Sequence, residues 1–120
     1  MMQDWNTYRD ALMERVGDFA RQTPDVLRGL SIIDGAAAKT GHLDAKMHEL
    51  IALAVAVTTR CDGCISVHTS KAAQAGATLG EISEALSVAV ALNAGRHWCT
   101  RRAWWTPSSN CLRSNFVCAN

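Results

Sequence analysis

The stretch RCDGCISVH, residues 60–68, sets Cys61 and Cys64 one helical turn apart and His68 four residues further on. Three chemistries use such a set: a metal clamp, a structural disulfide, or a pair of thiols that reacts. On a helix these spacings bring all three side chains to one face. A cysteine at a helix start lies near unpaired backbone N–H groups. The helix dipole and a nearby proton acceptor then favour the thiolate, which is the form that attacks peroxides and disulfides. A second thiol one turn away can capture the resulting sulfenic acid as an intramolecular disulfide.

Glu49 is the fourth candidate. It opens an apolar run, ELIALAVAVTT (49–59), where a buried carboxylate needs a partner. Glu49 lies about ten residues before a bend near Arg60 and His68 about eight after it. At a rise of about 1.5 Å per residue, two antiparallel helices would bring them side by side. A Glu49–His68 pair could orient the imidazole and carry protons to and from the thiols. Plainer readings exist for each residue: incidental thiols, an exposed first-turn acid, a satisfied helix-face histidine. His42 and His48, near a turn, read as surface histidines, and Trp5 and Tyr8 as packing residues.

The elements that must position these groups are all helical. Residues 4–22 carry Trp5, Tyr8, Leu12, Val16 and Phe19 at steps of three and four, with charges between them, the pattern of an amphipathic helix. Thr23-Pro24-Asp25 supplies an N-cap, a proline at the first helical position and an acid in the first turn, opening a second helix to about Ala38. Gly41 is a helix stop, and Asp44 caps a third helix over 45–59 that is apolar on most sides and so belongs at the centre. A fourth helix begins at the cysteine motif and ends near Ala75, before Gly76. Thr78 and Glu81 form a capping box for a fifth. No stretch alternates with the two-residue period of a strand, so the expected fold class is all-α.

A chain of 120 residues suggests one domain, and a net charge of +1 gives no general case for a nucleic-acid partner. No secretory signal is visible, and the apolar run at 49–59 is too short to span a bilayer. The expected location is therefore the reducing cytoplasm, where C-x-x-C is more often redox-active or metal-binding than a structural staple.

The stretch LDAKMHELIALAVAVTTRCDGCISVHTSKAAQAGATLGEISEALSVAVALNAG (43–95) resembles the carboxymuconolactone decarboxylase superfamily, and within it the alkylhydroperoxidase AhpD-like branch. The shared pattern is Glu, eleven residues, Cys, two residues, Cys, three residues, His: here Glu49, Cys61, Cys64 and His68. The resemblance implies an AhpD-like helical bundle that assembles as homo-oligomers, commonly trimers or hexamers. It implies a thiol-dependent peroxidase, with electrons returned by a dithiol or thioredoxin-like donor. It also implies roles. Cys64 attacks the peroxide and becomes a sulfenic acid, Cys61 resolves it, and Glu49 with His68 forms a proton relay. No cofactor and no metal are expected. The helix-dipole argument by itself favours Cys61 as the more acidic thiol. One departure lies inside the motif: AhpD carries a histidine between its cysteines, and this chain has Asp62-Gly63. An acid beside Cys61 disfavours its thiolate.

Two other functions fit parts of the pattern. One is a lactone enzyme of the carboxymuconolactone decarboxylase type, whose chemistry does not need the cysteine pair. The other is a zinc-stabilised helical binding module, in which Cys61, Cys64 and His68 supply three ligands and His97 or Cys99 a fourth.

The last segment, residues 96–120, differs from the rest. Residues 1–95 hold all 11 acids and 8 of the 12 Lys and Arg, whereas the segment after them holds 4 Arg and no acid, with three of the four Trp and three of the five Cys. Its residues follow no helical period, and Pro107 interrupts it. The expected organisation is a helical domain over 1–95, with its core motif at 43–95, followed by an atypical, irregular, basic tail. A reading-frame shift near codon 95 would account for the change. A basic segment containing tryptophan can also touch nucleic acid, but no motif here supports that partner.

Overall fold

The computed structural model describes residues 2–105, with side chains as far as Arg96. Five helices follow one another: α1 (Trp5–Gln22), α2 (Pro24–Thr40), α3 (Ala45–Thr59), α4 (Asp62–Gln74) and α5 (Leu79–Trp105). The class is all-α, and among the described residues there is no strand. The chain divides into two compact units, residues 1–89 and 90–120.

The helix ends follow local chemistry. The Asp4 carboxylate accepts from the N–H groups of Asn6 and Thr7 at 3.0 and 3.2 Å, which caps α1 and holds its pKa below the usual carboxylate value. Asp44 does the same for α3 through Met47 N–H at 2.8 Å. Thr23 stands at the N-cap of α2 as expected, but its hydroxyl makes no cap bond there; it donates backward to the Phe19 carbonyl at 3.0 Å and so closes α1. Gly41 and Gly76 take left-handed backbone angles, φ 71° and 82°, as the stop positions require. Thr78 and Glu81 form the reciprocal box: Glu81 Oε2 accepts from Thr78 N–H at 2.7 Å, and Thr78 Oγ1 from Glu81 N–H at 3.2 Å. The other Glu81 oxygen takes the Lys46 ammonium at 2.6 Å, tying the start of α5 to the start of α3. Lys46 first, and then the Thr78 bonds, hold the Glu81 carboxyl at a pKa of about 2.

The tightest pairing in the first unit is α3 against α4, with α1 packed on α4 and on α2. The small buried core is Leu50, Leu53 and Ala56 of α3, Ala72 of α4 and Ala89 of α5. Leu50, Leu53 and Ala56 recur at a three-residue step, so one face of α3 is the inner face, and the alanines let the helices approach closely. α1 has no fully buried residue, and Phe19, one of the apolar positions that mark its inner stripe in the sequence, is 51% exposed. α2 is more open still: Val26, Leu30 and Ile33, which share a face, are 57%, 59% and 72% exposed.

In the second unit the described residues are one helical run. The backbone stays helical past Gly95, where the side-chain period ends, to Trp105. Residues 106–120, with Pro107 and the last two cysteines, lie outside the described residues, as do the side chains of His97 and Cys99.

Candidate functional site

The site is built on the α3–α4 hairpin, and the turn between those helices is short. Arg60 alone separates Thr59 at the end of α3 from Cys61, the N-cap of α4. Cys61 N–H reaches back to the Ala56 carbonyl at 3.1 Å and Arg60 N–H to Val57 at 3.3 Å, the two bonds of a Schellman closure. That closure needs a left-handed residue, and here it is Arg60, with φ 56°. A non-glycine residue in this conformation stores about 1 kcal/mol or more of local strain. The reversal lays α4 antiparallel along α3.

Glu49 and His68 meet as the residue count expects. His68 Nδ1 lies 2.7 Å from Glu49 Oε2, and each side chain is 19% exposed. An ionised carboxylate can only accept, so Nδ1 carries the hydrogen and donates. The Nε2 of a neutral imidazole is then left with its lone pair and can act as a base. Partial burial strengthens the contact relative to a surface pair, because less water competes for either partner.

Cys61 and Cys64 are joined as a disulfide, with their Cα atoms 5.2 Å apart. Cys61 Sγ also accepts the backbone N–H of Cys64 at 3.2 Å, so the sulfur itself caps α4. The Cys61 carbonyl receives Ile65 N–H at 2.8 Å, the first regular bond of the helix. Asp62 is exposed in the first turn. Gly63 is not replaceable by simple addition: a Cβ there would lie 2.7 Å from Leu12 Cδ2 of α1. A side chain at 63 therefore needs the end of Leu12 on α1 to shift. Ser66, buried at 5% exposure, satisfies its hydroxyl on the Gly63 carbonyl at 2.9 Å.

Beside the Glu49–His68 pair opens a cavity of about 540 Å³. Its walls are the second half of α2, the α2–α3 turn, and the faces of α3 and α4 that carry the pair. Gly35, Ala37, Ala38 and Ala52 make it roomy; Asp34, His42 and His48 add polar groups. Cys61 and Cys64 are not among its lining residues. His42 and His48, surface histidines by sequence, share a wall of this cavity. Their positions on either side of Asp44, the cap that turns the chain into α3, are the only signal the sequence holds. Leu12 was legible as an apolar residue of α1, but its place against Gly63 was not. Among the described residues no three His, Cys, Asp or Glu side chains are grouped to hold a metal ion.

Comparison with known proteins points one way. The model of the carboxymuconolactone decarboxylase family matches residues 24–105. An uncharacterized protein of Haemophilus influenzae is 46% identical over 72 residues, which cover 60% of this chain and 64% of that protein. An uncharacterized protein of Cupriavidus necator is 30% identical over 95 residues, covering 79% of this chain and 84% of its own length. Among solved structures, a carboxymuconolactone decarboxylase family protein from Legionella pneumophila, in its apo form, superposes with a TM-score of 0.71 at 33% identity, over 76% of this chain and 81% of that one. A protein from Methanobacterium thermoautotrophicum gives 0.67 at 33% identity, over 73% and 99%.

Proposed function

Because the chain belongs to the carboxymuconolactone decarboxylase family, we propose that it is a thiol-dependent peroxidase of the alkylhydroperoxidase type, working through Cys61 and Cys64 with Glu49 and His68 as proton relay. The observation that carries this reading is the 2.7 Å Glu49–His68 contact on the same hairpin as the cysteine pair. His68 stands four residues after Cys64 on α4, one turn away, and is the histidine nearest to it in sequence. In the reduced protein His68 takes the Cys64 proton. The Cys64 thiolate attacks one peroxide oxygen, the O–O bond breaks, and the departing alkoxide takes a proton and leaves as the alcohol. Cys61 then attacks the Cys64 sulfenic acid, the disulfide forms and water leaves. Two electrons have passed from the thiols to the peroxide, and a dithiol or thioredoxin-like donor restores them.

The partners proposed are a peroxide, such a donor, and further copies of this chain. The apolar strip Val26–Leu30–Ile33 supports self-association, since nothing in the first unit buries it. No described helix is long and apolar enough to cross a membrane, and we place the protein in the cytoplasm, where a dithiol donor is available. Residues 1–95 are proposed to be the active domain and 96–120 a tail of separate origin. Resequencing the gene together with the mass of the intact protein tests the frame shift.

Thiol counting tests the chemistry. About one equivalent of an organic hydroperoxide should remove both motif thiols from the reduced protein, and Cys64→Ser should abolish the loss. No thiol loss in the parent protein would sink the peroxidase reading. One observation favours a second reading, a lactone enzyme: the cavity is lined by Glu49 and His68 and by neither cysteine. Lactone turnover that survives Cys64→Ser but not His68→Gln would establish it.

A further inference from the structure

The two sulfurs of the disulfide are not equivalent. Cys61 Sγ accepts a backbone N–H, that of Cys64, and sits at the N-cap of a 13-residue helix. Cys64 lies inside the first turn and spends its own N–H on that bond. When a donor thiolate opens a disulfide, one sulfur takes the new bond and the other leaves with the electron pair. The reaction is faster when the leaving sulfur is the better stabilised thiolate. A hydrogen bond to a neutral disulfide sulfur is weak, but the same bond to a thiolate is charge-assisted and roughly twice as strong. The Cys64 N–H therefore stabilises the product of cleavage more than the starting disulfide, the condition for lowering a barrier.

We propose that the reducing donor attacks the sulfur of Cys64 and expels Cys61 as the thiolate, so that the mixed disulfide of the cycle forms on Cys64. The inference rests on reading Cys61–Cys64 as a redox couple. In the first step the donor thiolate bonds to Cys64 Sγ, the Cys61–Cys64 bond breaks, and its electron pair stays on Cys61 Sγ. In the second step the other thiol of the donor, as thiolate, attacks the donor sulfur of the mixed disulfide. Cys64 leaves and takes up a proton, and the donor departs as its own disulfide. Two electrons have moved from donor to protein. One of the two donor protons rests on Cys64 and the other goes to solvent.

The surroundings fit this polarity. Arg60 and Asp62 flank Cys61, both exposed and opposite in charge, so their effects oppose each other. The base His68 is one turn from Cys64 and two from Cys61. It thus serves the thiol that lacks the cap bond and needs its proton removed before the next peroxide. The resolving thiol Cys61 is left as a standing thiolate, ready to attack the sulfenic acid.

Mapping glutathione on the full-length protein tests this directly. The oxidised protein is exposed briefly to reduced glutathione, quenched in acid early in the reaction, and digested. Glutathione is expected on the peptide carrying Cys64 in about tenfold excess over Cys61. Glutathione on Cys61, or an even split, overturns the proposal. In a second measurement the fully reduced protein meets a limiting amount of iodoacetamide, which should label Cys61 first; labelling of Cys64 first overturns it. Both preferences should collapse in concentrated urea, where the cap is lost. A preference that persists there comes from the local sequence and also overturns it. Neither measurement uses a peroxide. A protein that passes both yet consumes no hydroperoxide upholds this polarity while the peroxidase reading falls.

Discussion

The α3–α4 hairpin and helix α2 are neighbours in the chain and opposites in how they are held. On α3, Leu50, Leu53 and Ala56 are buried, Glu49 is paired with His68, and the turn into α4 leaves no spare residue. On α2, a strip of the same aliphatic character, Val26, Leu30 and Ile33, stands more than half exposed. Both helices have caps or stops of the expected kind and both have an apolar face. The difference lies in what each face meets. Hydrophobic periodicity tells which side of a helix avoids water, whereas the partner that covers it is decided by connections, and within the first unit nothing covers this face of α2.

The largest expected effect breaks the comparison on the hairpin side. Glu49→Gln and His68→Gln should each slow peroxide-driven disulfide formation by roughly 100-fold, the usual size of a lost general base, measured as thiol loss over time. They should leave the fold unchanged by circular dichroism. Next come the two leucines, one from each region. Leu53→Ala should cost about 2–4 kcal/mol in urea unfolding, whereas Leu30→Ala should cost less than about 0.5 kcal/mol in any dissociated form. Equal costs would mean that α2 is buried in the species measured. Ile33→Glu sharpens the point. It should lower the mass seen by sedimentation with no comparable loss of protomer helicity, because a charge on a self-association surface is desolvated only in the assembly.

Arg60→Gly should stabilise the hairpin by about 0.5–1 kcal/mol in the same urea assay by relieving the left-handed strain; a loss of stability would mean that the arginine side chain holds the turn. The smallest effect belongs to the Glu81–Lys46 tie. Glu81 is depressed from 4.5 to about 2 in the folded chain. Its contribution is therefore fully present above the unfolded value and is lost as pH falls through that window toward 2. Glu81→Gln should flatten acid unfolding between those limits and lower stability near neutrality by the same amount, a small one because both side chains keep about a third of their surface in water.

What was readable in advance follows the same division. The helix boundaries were legible because they are written in local chemistry: Asp4, Asp44, Gly41, Gly76 and the Thr78–Glu81 box act within a few residues of themselves. Thr23 shows the limit even there, since a threonine between two helices can serve either, and the backbone chose the preceding one. The Glu49–His68 pair was legible because a one-residue turn reduces a tertiary contact to a count along two helices. The Leu12–Gly63 contact and the shared cavity wall of His42 and His48 depend on how α1 and α2 lie against the hairpin, and no count along the chain contains that. The tail from 96 onward lacks a period in its side chains, yet the backbone remains helical to Trp105. Backbone hydrogen bonds continue a helix already begun without asking for an apolar face.

The single residue at the α3–α4 turn makes the motif a ruler as well as a set of side chains. Each residue of an α-helix advances its face by about 100°, so one residue gained or lost between Glu49 and Cys61 would turn the pair's two halves away from each other while every motif letter stayed in place. Spacing thus matters as much as residue identity. A relative with the same four residues and a different interval between the first two would hold the same side chains without the register that lets Glu49 and His68 meet.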